Sequence, residues 1–98
     1  MNDSENTGTP FASDDRPRKK SGCHTRDLDG ERVVYDPETH EVCVLNPTAT
    51  LIFELCDGEA SVEQILASLR ERYDADPEVL RRDLSTTLGE LRKKRLVS

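Results

Sequence analysis

The sequence predicts an α+β domain in which a three-stranded antiparallel sheet is followed by three helices. Two observations lead to this prediction. Between residues 25 and 45, short segments with alternating apolar residues are separated by tight turns, as in a meander of strands. From residue 47 onwards, apolar residues recur at helical spacing in three segments. Strands and helices that are segregated along a chain are typical of α+β folds, and this order is winged-helix-like.

The three predicted strands are short and are joined by turns. Residues 25–28 form the first, and Asp29-Gly30 after it favours a hairpin turn because both residues can adopt positive φ. Residues 32–35 return along it, and residues 41–45 form the third strand. Such short connections make the sheet antiparallel, so the first and third strands are expected to be its edges.

Each predicted helix follows a recognisable start signal. Asn46 is a favoured N-cap, and Pro47 suits the first helical position, where its missing N–H is not needed. Ser61 and Gln64 form a capping box before the second helix, and Asp76 precedes the third. Four leucines at helical spacing predict the buried side of the third helix: Leu80, Leu84, Leu88 and Leu91.

The N-terminal residues have a different composition. Residues 1–22 are rich in Asn, Asp, Ser, Thr, Gly and Pro and are almost without apolar side chains. Such a segment buries too little surface to offset the entropy lost on ordering. We therefore predict a disordered polar tail over residues 1–22 and a folded domain over residues 23–98. On this prediction, deleting the tail leaves the melting temperature and the affinity for a ligand nearly unchanged.

The amino-acid composition argues against several classes of protein. A chain of 98 residues with 34% hydrophobic residues allows one small domain. The net charge of −6 opposes a nucleic acid as partner. The sequence contains no apolar run long enough to cross a membrane and no signal-peptide pattern. Three cysteines without close pairing indicate reduced thiols, and together these features predict a cytoplasmic protein.

Few residues offer catalytic or metal-binding chemistry. His40 and Cys43 have the spacing of a metal-binding pair, but no second pair completes the ligand set. In a strand with apolar neighbours, the pKa of the Cys43 thiol rises and the thiol becomes unreactive. Cys56 fits a helix face as a small hydrophobic residue. The sequence therefore predicts a binding protein rather than an enzyme, with no catalytic residue, no metal and no cofactor.

The region around the third strand and the first helix resembles a known family. Over about residues 26–98, three features are similar to the PqqD-like family. They are a strand that ends in Leu45-Asn-Pro-Thr-Ala49, a helix that ends in Asp57-Gly58, and the following Ser61-Val-Glu-Gln-Ile65. This family comprises RiPP recognition elements, small domains that bind the leader segment of ribosomally made precursor peptides. The resemblance implies a peptide chaperone that presents a leader to a modifying enzyme, such as a radical SAM protein or a leader peptidase.

The third strand and the third helix form the predicted binding surface. If one flank of the helix faces the open strand edge, an extended peptide can add there as a fourth strand. An alternative interpretation, in which Val79 caps the core and the flank is plain surface, fits the residues equally, and the resemblance favours the peptide site. Nine residues make up the predicted site: Glu41, Val42, Cys43, Val44, Leu45, Val79, Asp83, Thr87 and Glu90.

Two other functions are compatible with the predicted fold. A winged-helix DNA-binding regulator is the main alternative, because residues 61–94 outline a helix-turn-helix. Its recognition helix would carry Asp83 and Glu90, whose charges oppose contact with phosphates. In a third interpretation the protein is a structural subunit whose open strand pairs with a second copy of the chain.

Overall fold

The structure, a computed structural model, describes residues 12–98. Its strands pair in the order β1-β2-β3, and both pairs are antiparallel. The α+β, winged-helix-like arrangement predicted from the sequence is confirmed. The elements are β1 (His24–Leu28), β2 (Glu31–Asp36), β3 (Glu41–Leu45), α1 (Pro47–Leu55), α2 (Val62–Arg72) and α3 (Pro77–Lys93).

All three helices begin at the caps predicted from the sequence. The Asn46 side chain accepts a hydrogen bond from the Ala49 backbone N–H at 2.8 Å. Ser61 Oγ accepts from the Gln64 N–H at 3.1 Å, and Gln64 Oε1 accepts from the Ser61 N–H at 2.8 Å. Asp76 caps α3 in a similar way. These bonds satisfy N–H groups that have no partner inside the helix, so local sequence determines where each helix starts.

The core lies between the inner face of the sheet and the helices. The four predicted leucines of α3 are buried, together with Leu96 and Val97, which follow the helix and pack beneath it. On the sheet, Val34 and Leu45 belong to the same cluster, which defines the face that is turned towards the helices. Within residues 12–98, no helix is long and apolar enough to span a membrane.

Residues 13–20, here called the N-terminal strap, pack against the domain. Seven backbone hydrogen bonds join this segment to the ends of α1 and α2 and to the C-terminal residues. Arg18 and Ser98 exchange two of them, at 2.9 and 3.0 Å, and the Lys19 N–H donates to the Cys56 carbonyl at 2.8 Å. The strap therefore connects elements that are far apart in the sequence.

The strap corrects the prediction of a disordered tail that extends to residue 22. Pro17 is buried, and the predicted domain boundary at residue 23 leaves the strap outside the domain on which it packs. The prediction was wrong for the strap because composition reflects side chains, whereas this segment is held largely by backbone groups, which every residue carries. The predicted disorder of residues 1–11 lies outside the described residues.

An ion pair anchors the C-terminal end of the strap to the sheet. Lys20 Nζ lies 2.7 Å from Asp36 Oδ2, and the Asp36 side chain is only 2% exposed. Asp36 also accepts hydrogen bonds from the Thr39 hydroxyl and the Glu38 N–H in the turn before β3. The Lys20 hydrogen bond is the main cause that lowers the pKa of Asp36 to about 2. The strap is therefore tied to the turn that leads into β3.

Candidate functional site

β3 is an edge strand with an open side. Within residues 12–98 it pairs with β2 alone. In an antiparallel pair, successive residues direct their N–H and C=O groups alternately towards and away from the partner. About every second residue of β3 therefore presents backbone donors and acceptors away from β2, and such an edge is a template for an added strand.

A groove separates this edge from α3. No Cα atom of β3 lies within 8 Å of a Cα atom of α3, so the two backbones are not in close contact. The gap contains a cavity of about 290 Å³, here called the β3–α3 groove. An added strand would lie ~4.8 Å from β3, beside this cavity. The lining residues are Val42, Cys43, Val44, Leu45, Asn46, Ala49, Thr86, Thr87, Glu90, Leu91 and Lys94.

The floor of the groove is apolar. Leu45 and Leu91 are buried members of the core, and Cys43 and Ala49 pack against that core while remaining half-buried. Thr87, also half-buried, lines the helix side with a short side chain. A peptide side chain that enters the groove therefore meets apolar surface at its tip, while the backbone of the peptide lies beside the open edge of β3.

One end of the groove is charged. Lys94 Nζ lies 3.8 Å from Glu41 Oε1, which links the end of α3 to the start of β3. Glu90 lines the groove one helical turn before Lys94. Two carboxylates and one ammonium give this end a net negative charge, which favours a basic residue in a bound peptide.

The Cys43 thiol in the groove is in its unreactive, protonated form. Burial is the main cause that raises the pKa of Cys43, with a smaller opposing effect from the positive charge of Lys94. A protonated thiol behaves as a small apolar side chain, so Cys43 contributes surface rather than a nucleophile. Burial likewise raises the pKa of Cys56, to about 12. Within residues 12–98, no group of three or more His, Cys, Asp or Glu side chains is placed to hold a metal ion.

Seven of the nine residues predicted for the site lie at or beside the groove. Residues 42–45, Thr87 and Glu90 line it, and Glu41 lies at its charged end. Val79 and Asp83 are exposed on the N-terminal half of α3 and do not line it. Length explains the difference: a five-residue strand spans ~17 Å and a 17-residue helix ~26 Å, so β3 flanks only part of α3.

Five residues that line the groove were not predicted from the sequence as part of the site. Leu91 was assigned to the core alone, although it also forms the floor of the groove. Asn46 was assigned only as the N-cap of α1, and Ala49, Thr86 and Lys94 were not assigned to the site. A signal existed for two of the five, because Leu91 and Lys94 follow Thr87 and Glu90 at a spacing of four residues and therefore continue the same flank.

Two larger cavities lie elsewhere and have a different character. One of about 520 Å³ adjoins the C-terminus and is lined by Arg16, Arg92 and Arg95 among others. The other, of about 730 Å³, follows the strap and part of α1. Neither contains a residue of β3. The β3–α3 groove combines an open strand edge with an apolar floor, which makes it the candidate functional site.

Comparison with known sequences points to one family. Residues 31–97 match the family model described as coenzyme PQQ synthesis protein D (PqqD). The chain is also 32% identical over 91 residues to a bifunctional coenzyme PQQ synthesis protein C/D of Methylorubrum extorquens. That match covers 91% of this chain and 24% of the relative, so the chain spans about a quarter of the length of that protein.

Solved structures share the fold. The PqqD truncation of Methylobacterium extorquens PqqCD, described as a functional and stand-alone RiPP recognition element, has a TM-score of 0.73 at 31% identity, covering 93% of this chain and 97% of that one. TbiB1 in complex with the TbiA(beta) leader peptide has a TM-score of 0.72 at 22% identity, covering 83% and 94%. Lasso peptide synthetase B1 complexed with its leader peptide has a TM-score of 0.71 at 20% identity, covering 85% and 98%.

The matched segment contains the parts of the molecule that form the groove. Residues 31–97 include the β2–β3 hairpin and all three helices, and hence both walls of the β3–α3 groove. The family match covers more than half of the chain, and a relative of above 30% identity spans nearly all of it. On fold, groove and sequence together, the chain belongs to the PqqD family.

Proposed function

We propose that this protein binds the leader segment of a ribosomally synthesised precursor peptide and presents it to a modifying enzyme. The observation that carries the proposal is the open edge of β3 beside the β3–α3 groove. A leader that adds as a fourth strand pairs with the backbone of residues 41–45 and places alternate side chains in the groove. Membership of the PqqD family supports this role, and two structures of the same fold are complexes with leader peptides.

The interactions available in the groove are sufficient for useful affinity. About four or five backbone hydrogen bonds contribute ~1 kcal/mol each. Two apolar side chains buried against the floor add ~1.5–3 kcal/mol each. Ordering a flexible peptide offsets several kcal/mol of this gain. The expected dissociation constant is therefore micromolar to high nanomolar, which suits a carrier that must also release its cargo.

The proposed role is presentation of a substrate rather than catalysis. All three thiols have raised pKa values, so the described residues offer no activated cysteine nucleophile. The Methylorubrum extorquens relative joins its C and D parts in one polypeptide, which is a precedent for close association with a second protein. We infer a radical SAM protein or a leader peptidase as the modifying enzyme, and the cytoplasm as the location, from the family resemblance and the composition.

An NMR titration tests the proposed function. Isotope-labelled protein is titrated with synthetic leader segments of the short peptides encoded in the neighbourhood of its gene. Amide shifts are expected to concentrate in residues 41–45 and 86–94, which form the two sides of the groove. Shifts confined to β1 or to α2 would place binding elsewhere and contradict the proposal. A duplex DNA added in place of the leader, at low salt, serves as a control for electrostatic binding and is expected to cause no shifts in the groove.

A further inference from the structure

The outer face of the sheet, which is turned away from the helices, is apolar on the β3 side. Val42 and Val44 are 51% and 61% exposed on this face. The register places Val44 opposite Val33 and Val42 opposite Tyr35, and residues in such cross-strand pairs lie on one face. These four residues are here called the outer patch. Exposed valines on an open edge need an explanation, because edge strands usually carry charges that prevent pairing.

The same face is polar where it passes over β1. His24 lies opposite Tyr35 and Arg26 opposite Val33, so the outer patch is bordered by a ring and a charge. The His24 and Tyr35 rings are stacked with centroids 6.4 Å apart. Leu28 is 51% exposed at the far corner of the sheet, opposite Glu31. The outer patch therefore extends from the central strand β2 to β3, whose open edge borders the groove.

A strand added to β3 would contact apolar surface on both of its faces. Side chains alternate along a strand, so one set enters the β3–α3 groove and the other set lies on the outer face. Directly opposed residues of neighbouring strands have Cβ atoms ~4.5–5.5 Å apart, close enough for the outer set to cover Val42 and Val44. Four consecutive residues of β3, 42–45, line the cavity, so the edge of the strand forms one of its walls.

Building on the proposed function, we infer that the outer patch is a second contact surface for the bound peptide. The recognised leader segment then carries apolar residues at consecutive positions, so that it is apolar on both faces of the strand. A peptide in which apolar and polar residues alternate fills the groove and leaves Val42 and Val44 exposed. The outer patch thus selects for a short, continuous apolar run, with β-branched or aromatic residues favoured at the outward positions.

A peptide selection tests this inference and does not require the sequence of the precursor. Immobilised wild-type protein is used to select from a phage-displayed library of linear twelve-residue peptides. Enrichment of three or more consecutive apolar residues is expected. Enrichment of a strictly alternating apolar and polar pattern would overturn the inference and leave the proposed function intact. A library that yields no binder would overturn the proposed function, and the inference with it.

Variants of the outer patch provide the second test, with a selected peptide as ligand. The double variant Val42→Thr/Val44→Thr keeps the β-branched shape but replaces apolar surface with hydroxyl groups. We expect ~5- to 10-fold weaker binding, the combined effect of two cross-strand contacts. Leu28→Thr is the matched control, because Leu28 is equally exposed on the same face but lies on β1. Its expected change in affinity is less than ~2-fold, since β1 is not the binding edge.

A groove variant separates failure of the inference from failure of the proposed function. Thr87→Arg fills the β3–α3 groove and is expected to abolish peptide binding. If it does so while the double valine variant binds as the wild type does, the outer patch contributes nothing and the inference is overturned alone. Light scattering at the assay concentration tests whether a second copy of the chain, rather than a peptide, occupies the outer patch. A wild-type dimer that the double valine variant converts to a monomer would assign the patch to a second copy of the chain.

Discussion

The two edges of this sheet differ in almost every property that determines whether a strand can be added. All five residues of β1 are exposed, and among the described elements β1 packs on β2 alone. Its Asp27 forms an ion pair with Arg32 at 2.7 Å. β3 has two apolar residues exposed on one face and an apolar groove on the other. Charges typically protect an edge from pairing, so the contrast indicates that β3 is left open for a partner.

A proline substitution on each edge gives the largest expected effect. Val44→Pro removes a backbone donor from β3, and we expect at least ~100-fold weaker leader binding because strand addition depends on the backbone ladder. Thr25→Pro is the equivalent change on β1. The register aligns Thr25 with Val34 and Cys43, one row from Val44. Leu28 and Glu31 flank a two-residue turn and therefore form a hydrogen-bonded pair, so the alternation along the strands directs the backbone groups of Thr25 and Val44 outward.

Calorimetric titration of both proline variants measures the contrast between the edges. Circular dichroism first establishes that each variant is folded. Thr25→Pro is expected to bind within ~3-fold of the wild type, because the proposed site does not use β1 for pairing. A folded Val44→Pro variant with unchanged affinity would show that β3 is not the docking edge. Equal losses in the two variants would point to a general weakening of the sheet.

The strap is the subject of the second prediction, which concerns stability. A chain that starts at residue 21 lacks all seven backbone hydrogen bonds of the strap and leaves Asp36 without its lysine. We expect a loss of ~2 kcal/mol or more, equivalent to a fall in melting temperature of about 10 °C. A chain that starts at residue 13 is the control, because the difference between the two isolates the strap. Identical melting curves would instead support a tail that is dispensable up to residue 20.

The third prediction compares two ion pairs of the sheet that differ in burial. Asp36 and Asp27 both have a lowered pKa because of a hydrogen-bonded cation, but Asp36 is 2% exposed and Asp27 is 69% exposed. Since the folded pKa of Asp36 is about 2 and an unfolded Asp titrates near ~3.9, this stabilisation is present above pH ~4. It is lost progressively as the pH falls from ~4 towards ~2.

Thermal melts between pH 2 and pH 7 measure this dependence. Asp36→Asn is expected to lower the melting temperature at neutral pH and to flatten its decline in acid. Asp27→Asn is expected to change both quantities much less, because water screens an exposed ion pair. If the two variants behave alike, burial of the Lys20–Asp36 pair contributes nothing to its strength.

Most of the fold could be predicted because caps and turns are encoded by neighbouring residues. The candidate site could be predicted only in part, because it depends on how β3 and α3 are placed relative to each other. Helix caps and hairpin turns involve residues that are close together in the sequence, so they can be recognised from the sequence alone. Asn46, Ser61 and the Asp29-Gly30 turn are examples. The strap escaped prediction because its partners are the backbone groups of distant residues. Which half of α3 faces β3 depends on where two elements cross, so the predicted set contains Asp83, which lies outside the groove, and lacks Lys94, which lines it.

The charged end of the groove gives the smallest effect and separates the two halves of α3. Glu90→Gln removes a carboxylate that lines the groove, whereas Asp83→Asn removes one from the same helix outside it. For a leader with a basic residue at this end, Glu90→Gln should weaken binding by at most ~5-fold, since one exposed pair contributes ~0.2–1 kcal/mol. The difference should largely vanish at ~0.5 M salt, where the screening length falls below ~5 Å. Equal effects of the two variants would mean that the peptide senses the net charge of the protein rather than this end of the groove.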